Sequence, residues 1–176
     1  MKSALPPIHS LNETTLREVV FRTVMLQDVK FITSSWVNSY KSAPSVSYMR
    51  DHSYYTHQHL LIEYLIPASR VIVAVDKSDP HRIYGWLVYE YNAPTLTLHY
   101  TYVKIECRRN GLATALITEA FRQASQHETK PSRIVWTHQT NKGRHFMGTI
   151  GPRLLDPLPY EYNPYALLFA PESKAQ

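Results

Sequence analysis

Apolar residues recur every three or four positions in some stretches of this chain and at alternate positions in others, and the two periods divide it into elements. Val19–Met25 (VVFRTVM) predicts a first strand. In the following LQDVKFITSSWVNSYKS, Val29, Ile32, Trp36 and Tyr40 form one apolar helical face. Gln27 and Asp28 suit the start of that helix, and Ala43-Pro44 ends it. YYTHQHLLIEYLIP, from Tyr54, predicts a second, shorter helix stopped by Pro67. Arg70–Asp76 (RVIVAVD) is β-branched and apolar, as a buried strand is. KSDP is a turn. Arg82–Asn92 predicts a second strand of this group, broken by Ala93-Pro94, and Thr95–Ile105 a third. GLATALITEAFRQASQ places Leu112, Ala115, Leu116, Ala120 and Phe121 at helical spacing and is the clearest amphipathic helix. Lys130-Pro131 ends it. Arg133–Thr140 predicts another strand, Gly143–Gly151 (GRHFMGTIG) a short helix, and Tyr165–Ala170 (YALLFA) a late strand.

The order is therefore β, α, α, β, β, β, α, β, short α, β. Short turns join three of the strands into an antiparallel meander. A strand–helix–strand unit then follows, and a crossover of that size implies a parallel pair. The expected class is α/β with a mixed, mostly antiparallel sheet flanked by helices. No internal repeat or linker divides the chain, so its 176 residues are read as one domain, with a core from about 19 to 170 and short polar tails.

Composition narrows the setting. A 44% hydrophobic content belongs to a folded chain. No apolar run approaches the roughly 18–20 residues of a membrane span, so no membrane partner is expected. MKSALPPIHSLNETT lacks the apolar segment of a secretory leader. The single cysteine, Cys107, leaves neither an internal disulfide nor a Cys-rich zinc site. A cytoplasmic protein is the economical expectation. The net charge of +5 and a pI near 9.3 favour an anionic partner, either nucleic acid or a phosphate-bearing cofactor. The basic residues are scattered, with no run that would form a nucleic-acid arm.

One join concentrates chemistry. KIECRRNGLATALI, Lys104–Ile117, runs from a strand pattern into a helix pattern through two arginines, an asparagine and a glycine. A helix N-terminus leaves backbone N–H groups unpaired and carries positive potential. A glycine at its entrance lets an anion approach the backbone. Arg108 and Arg109 add charge, Ala113 keeps the first turn slim, and Thr114 offers a hydroxyl. These residues suit a diphosphate. The Walker pattern and G-x-G-x-x-G are both absent.

What remains, RRNGLA at Arg108–Ala113, resembles the R/Q-x-x-G-x-G/A motif of the GNAT superfamily of acyl-CoA-dependent N-acetyltransferases. The element order from Val19 to Thr140 is similar to the order of that family. Ala113 stands where many members have glycine. The resemblance implies the GNAT (acyl-CoA N-acyltransferase) fold, acetyl-CoA (coenzyme A) as donor, and direct acetyl transfer to a primary amine. It implies that backbone N–H groups of Arg109, Asn110, Gly111, Leu112, Ala113 and Thr114 hold the pyrophosphate, with Arg108 in the same cofactor site. It puts Val103 where the family's fourth strand bulges, with its N–H on the thioester carbonyl. It puts Asn141 beside the pantetheine or the acceptor.

His99 is the first candidate base. Thr97, His99 and Thr101 alternate with Leu96, Leu98, Tyr100 and Tyr102, which implies a polar face and a wet cleft in a central strand. His99 also lies nine residues before the motif arginine, a spacing similar to arylalkylamine acetyltransferases, and a histidine titrates near neutrality. The competing reading is a histidine that hydrogen-bonds a neighbouring strand. Glu90 is the second candidate, with an exposed strand-end carboxylate as its alternative. His138 is a third residue for the acceptor cleft. The family's acid tyrosine is missing from GRHFMGTIG, so Tyr160, Tyr162 or Tyr165, or solvent, is left to protonate the thiolate; Tyr162 is the one carried forward. Tyr48, Tyr54, Tyr55 and Trp36 are candidates for a pocket wall, Trp36 with a core role as its stronger alternative. His59 and Glu63 stand four apart near His52 and His57, but no third metal ligand is identified, so no metal is expected.

The acceptor is left open among a small molecule, a protein amine and an amine of a nucleic acid such as a modified base or charged tRNA. A catalytically silent binding protein of the same fold is the other class, supported by the missing tyrosine. A homodimer is one assembly open to it. FITSSWVNSYKS and LHYTYVK look similar to small GNAT proteins encoded by bacteriophages.

Overall fold

The β-branched and aromatic runs pair in sequence order. The computed structural model describes residues 19–149 and 158–167. Its strands are β1 (Val19–Thr23), β2 (Arg70–Asp76), β3 (Ile83–Asn92), β4 (Thr95–Val103), β5 (Arg133–Trp136) and β6 (Tyr160–Tyr162). Its helices are α1 (Val29–Tyr40), α2 (Asp51–Ala68), α3 (Leu112–Ala124) and α4 (Asn141–Thr149). Among the described residues they form a six-stranded sheet in the order β1-β2-β3-β4-β5-β6. β1 to β4 pair antiparallel, and β4–β5 and β5–β6 pair parallel. This is the expected mixed, mostly antiparallel α/β class.

The period of two gives the sheet two coats. Ile72, Leu87, Tyr89, Leu96 and Leu98 pack with Leu112, Leu116, Ile117 and Ala120 of α3. Val71, Val73, Trp86, Val88 and Tyr100 pack with Ile32, Trp36 and Tyr40 of α1 and Tyr54, Ile62 and Leu65 of α2. No described helix is long and apolar enough to cross a membrane.

One irregularity repositions β4. Val88 pairs with Tyr100, but the next residue, Tyr89, pairs with Leu98. His99 is thus an extra residue in β4, a β-bulge. The strict alternation expected of this strand fails there. Leu98 belongs to the α3 face and Tyr100 to the α1/α2 face, although an unbroken strand would put both on one side. The bulge expected at Val103 lies four residues earlier, at His99.

Several boundaries also move. α2 begins at Asp51, whose carboxylate suits a first turn and pairs with Lys41 at 2.9 Å. It runs through Pro67 to Ala68, because a proline in a last turn removes one intrahelical bond without a further turn to break. β5 stops at Trp136 instead of Thr140, since Thr140 caps α4: its hydroxyl accepts the Gly143 N–H at 2.9 Å. α4 consequently starts at Asn141. The late strand is Tyr160–Tyr162, not Tyr165–Ala170. Asn163 accepts the Tyr165 N–H through its side chain, and Pro164–Leu167 form a 3-10 turn; residues 168–170 lie outside the described residues.

β3 and β4 approach closely at Gly85. A Cβ there would stand 2.6 Å from the Tyr102 carbonyl oxygen and 3.4 Å from Val103 Cα. Both contacts are backbone of the strand that carries the site, so neither can rotate away. Gly85→Ala is expected to cost about 1–3 kcal/mol of stability through overpacking. Thermal unfolding checks this, and an unchanged melting temperature would contradict the close approach.

Candidate active site

Parallel pairing of β4 with β5 covers only Thr95–Leu98 and Arg133–Trp136. The Thr137 N–H donates once more, to the Leu98 carbonyl at 3.2 Å. Beyond that point β4 continues to Val103 while the chain after β5 turns into α4, so the sheet forks. The antiparallel ladder with β3 sets which amides face the fork. Lys104 donates its N–H to the Tyr84 carbonyl at 2.9 Å, so by alternation the Val103 and Thr101 N–H groups point away from β3.

The loop after β4 is held in a specific shape. A short 3-10 turn at Ile105–Cys107 buries Cys107. Arg108 Nε donates to the Val103 carbonyl at 3.0 Å, which ties the loop to the end of β4. Arg109 and Gly111 both take left-handed backbone, at φ 64° and 75°. For a non-glycine residue that conformation costs roughly 1–2 kcal/mol, and such strain collects at functional sites. Asn110 between them is buried. Nothing lies within 4 Å of where a Gly111 Cβ would be, so the space beside the Gly111 Cα is open. The first intrahelical bond of α3 runs from Ala115 N–H to Gly111 C=O at 2.9 Å. The N–H groups of Leu112, Ala113 and Thr114 therefore have no partner within their helix. The structure thus brings Val103 and Arg108–Thr114 together. Asn141 opens α4 on the other branch of the fork and is exposed.

The acid–base candidates lie deeper. His99 is only 1% exposed, so the wet cleft expected around it is absent from its side of β4. The bulge turns the ring inward, where both nitrogens find partners. Nε2 lies 2.9 Å from Glu90 Oε1, and Nδ1 lies 3.1 Å from Thr137 Oγ1. Glu90, expected as a separate second base, is this histidine's partner. Its carboxylate also accepts from Ser69 Oγ at 3.1 Å and Asn92 Nδ2 at 3.4 Å. The hydrogen bond from His99 holds Glu90 below the ordinary carboxylate range, against the opposing effect of burial. Thr137 Oγ1 continues to His138 Nδ1 at 2.9 Å. His138 lies past the end of β5, packed against the rings of Trp36 and Tyr40 at 5.3 and 5.0 Å. Burial, then the neighbouring His99, push its pKa down to about 3, with the His99 carbonyl opposing in part.

Of the tyrosines left for the acid, the Tyr160 hydroxyl is taken by the Met147 carbonyl at 3.2 Å. Tyr162 is half-exposed on β6. Tyr165 is well exposed. Trp36 and Tyr54 are core residues, and Tyr48 is exposed. Among the described residues no three His, Cys, Asp or Glu side chains come together to hold a metal. Thr137 was not a sequence candidate; its role depends on the bulge that aims His99 at it, which no local pattern announces.

A forked sheet with free amides on one branch and a cradle of N–H groups at the next helix defines an acyl-CoA transferase type of protein. The chain belongs to the acetyltransferase (GNAT) family, whose model matches residues 33–147. Structural neighbours carry the same fold at low sequence identity. A possible acetyltransferase from Clostridium difficile 630 is 14% identical, with 82% of this chain and 93% of that one covered and a TM-score of 0.59. The ribosomal-protein-alanine N-acetyltransferase of Brucella melitensis biovar Abortus 2308 is 19% identical over 76% of this chain and 90% of its own, at 0.52. The aminoglycoside N-acetyltransferase AAC(6')-Iy, in complex with CoA, is 12% identical over 78% and 86%, also at 0.52. No curated protein sequence matches.

The depressed His138 pKa has a stability consequence. An unfolded histidine protonates near 6.5. Below that pH the unfolded chain binds a proton that folded His138 refuses, so stability is lost as pH falls from 6.5 towards 3. The slope from this one group reaches about 1.4 kcal/mol per pH unit. Melting temperature measured from pH 7.5 to 4.5 should fall below 6.5, and His138→Gln should flatten that fall. A variant with the full native slope would assign the titration to another group.

Proposed function

We propose that the protein binds acetyl-CoA in the fork between β4 and β5 and transfers the acetyl group directly to a primary amine. The observation that carries this reading is the loop at Arg109–Gly111, whose two left-handed residues and open space beside the Gly111 Cα present the α3 N-terminus to an anion. Backbone N–H groups from Arg109 to Thr114 suit a pyrophosphate, which spreads charge over several oxygens and needs several donors. Arg108 adds positive charge while its Nε bond to Val103 keeps it at the end of β4. Asn141, on the facing branch, is assigned to the pantetheine.

Direct transfer needs three things from the protein. The amine must lose a proton before its nitrogen attacks the thioester carbonyl carbon. The carbonyl oxygen must be stabilised as negative charge builds on it. The thiolate must gain a proton as the C–S bond breaks and the amide remains. The Val103 N–H, directed into the fork, takes the second role. The Glu90–His99 pair supplies the base. Tyr162 takes the third role from β6, where among the described residues its hydroxyl is not occupied as that of Tyr160 is. The two N-acetyltransferases named above act, by their names, on a ribosomal-protein alanine and on an aminoglycoside, which makes both acceptor types natural members of a screen.

Three measurements test this. Acetyl-CoA should raise the melting temperature, and Arg108→Ala with Gly111→Val should abolish the rise; no shift in the native chain would contradict the cofactor site. CoA release should occur with at least one of 2-phenylethylamine, spermidine, kanamycin, an alanine-terminated peptide or tRNA. Release no faster than acetyl-CoA hydrolysis with all five would leave a binding protein of this fold as the reading. Tyr162→Phe should lower kcat roughly a hundredfold with little change in the acetyl-CoA KM; an unchanged kcat would return the acid role to solvent.

A further inference from the structure

We propose that Thr137 and His138 extend the Glu90–His99 pair into a four-group proton relay, in which His138 meets the acceptor amine and His99 acts through Thr137. The inference rests on the acetyl-transfer reading above. It follows from the geometry of one continuous chain: Glu90 Oε1 to His99 Nε2 at 2.9 Å, His99 Nδ1 to Thr137 Oγ1 at 3.1 Å, and Thr137 Oγ1 to His138 Nδ1 at 2.9 Å.

With Glu90 ionised and His99 neutral, counting protons gives each bond one direction. An ionised Glu90 only accepts, so His99 carries its proton on Nε2. In a neutral His99, Nδ1 is then a lone pair and accepts the Thr137 hydroxyl proton. Thr137 has one proton, already given, so its oxygen accepts from His138 Nδ1–H. His138 Nε2 is left as the lone pair at the end of the chain, so the bond between this ring and the His99 carbonyl is shared by the same Nδ1–H.

The two ends differ in setting. His99 and His138 are 1% and 6% exposed, whereas the Glu90 side chain is 21% exposed beside Ser69 and Asn92. His99 has no free nitrogen and no exposed edge with which to meet a substrate. His138 lies just past the point where β4 and β5 part, with Trp36 and Tyr40 fixing its ring. A proton that enters at His138 therefore has a route to water at Glu90.

The step balances without a further reactant. An N–H bond of the acceptor's ammonium breaks as the proton joins His138 Nε2. His138 Nδ1–H passes to Thr137, the Thr137 proton passes to His99 Nδ1, and His99 Nε2–H passes to Glu90. The products are a neutral amine and a protonated Glu90 carboxyl. A deeply buried imidazole is a poor store of charge but a good conduit, because its second proton leaves as the first arrives. Thr137 touches neither substrate nor donor and is a positioning residue. The titratable groups that face the chain are Tyr40 from α1, His57 from α2, Glu90 from β3 and Tyr100 from β4, with Tyr162 of β6 behind Tyr40.

The test reads histidine tautomers by two-bond proton–nitrogen NMR on the 15N-histidine-labelled full chain, from pH 5.5 to 8.5. His138 should be the Nδ1–H tautomer and His99 the Nε2–H tautomer. Thr137→Val, which keeps the branched shape and removes the hydroxyl, should shift the Nδ1 signals of both rings. Thr137→Ser should restore them. In the screen above, Thr137→Val should lower kcat at least tenfold and displace its pH profile, with Thr137→Ser within threefold of the native chain. His138 found as Nε2–H, bonded to the His99 carbonyl, would overturn the relay even if the valine variant failed to fold. So would an unmoved tautomer pattern, or an unchanged kcat in Thr137→Val. If no amine is acetylated, the transfer reading fails, while the tautomers still decide whether the chain of bonds exists.

Discussion

The extra residue at His99 is the constraint on which the rest of the site depends. Without it, β4 would present Leu98, Tyr100 and Tyr102 to α3, and His99 to the opposite coat as one polar position among apolar ones. With it, Leu96 and Leu98 still serve the α3 core, while Tyr100 crosses to the α1/α2 core. Thr101 and Val103 keep their N–H groups on the side away from β3. The local twist that accompanies a bulge also explains why β5 follows β4 only as far as Leu98. The fork, the inward histidine and the free amides share that single cause.

Aromatic packing makes the bulge rigid. Tyr100 stacks on Trp36 at 5.2 Å with planes 10° apart, and Trp86 lies 5.4 Å from Trp36. Ser39 of α1 hydrogen-bonds the Tyr100 hydroxyl at 3.0 Å, and Ser35 accepts from Trp86 Nε1 at 3.0 Å. Two serines one helical turn apart thus pin β3 and β4 to α1. Burial raises the Tyr100 phenol to about 12, so this anchor stays neutral across the working range. Removing Trp36 would loosen the wall behind His138 as well as the core, so α1 links stability and chemistry.

The sequence allowed the architecture to be read because its signals are local. The periods of two and 3.6 gave the element order, and Gly111 with the arginines gave the loop. Two left-handed residues were not foreseen: Gly111 suits such a conformation, but Arg109 adopts it with nothing in its side chain to predict it. Resemblance puts the β4 bulge at Val103, yet it lies at His99, because a bulge is a property of two paired strands and not of one. Thr140 continues the strand pattern yet is a helix cap, a role its hydroxyl acquires only once α4 forms after it. The Glu90–His99–Thr137–His138 chain spans three segments of the sheet, and no spacing within one strand records that contact.

The central claim is that the β4 branch of the fork and the α3 entrance bind the donor together. Amide chemical shifts followed by 15N NMR during titration with CoA address it most directly, since each N–H reports for itself. Saturable shifts at Thr101, Val103 and Arg109–Thr114 are the predicted result. Saturable shifts confined to other regions, such as the 330 Å³ cavity between β1, β2 and Gln123 of α3, with these amides unmoved, would contradict the account.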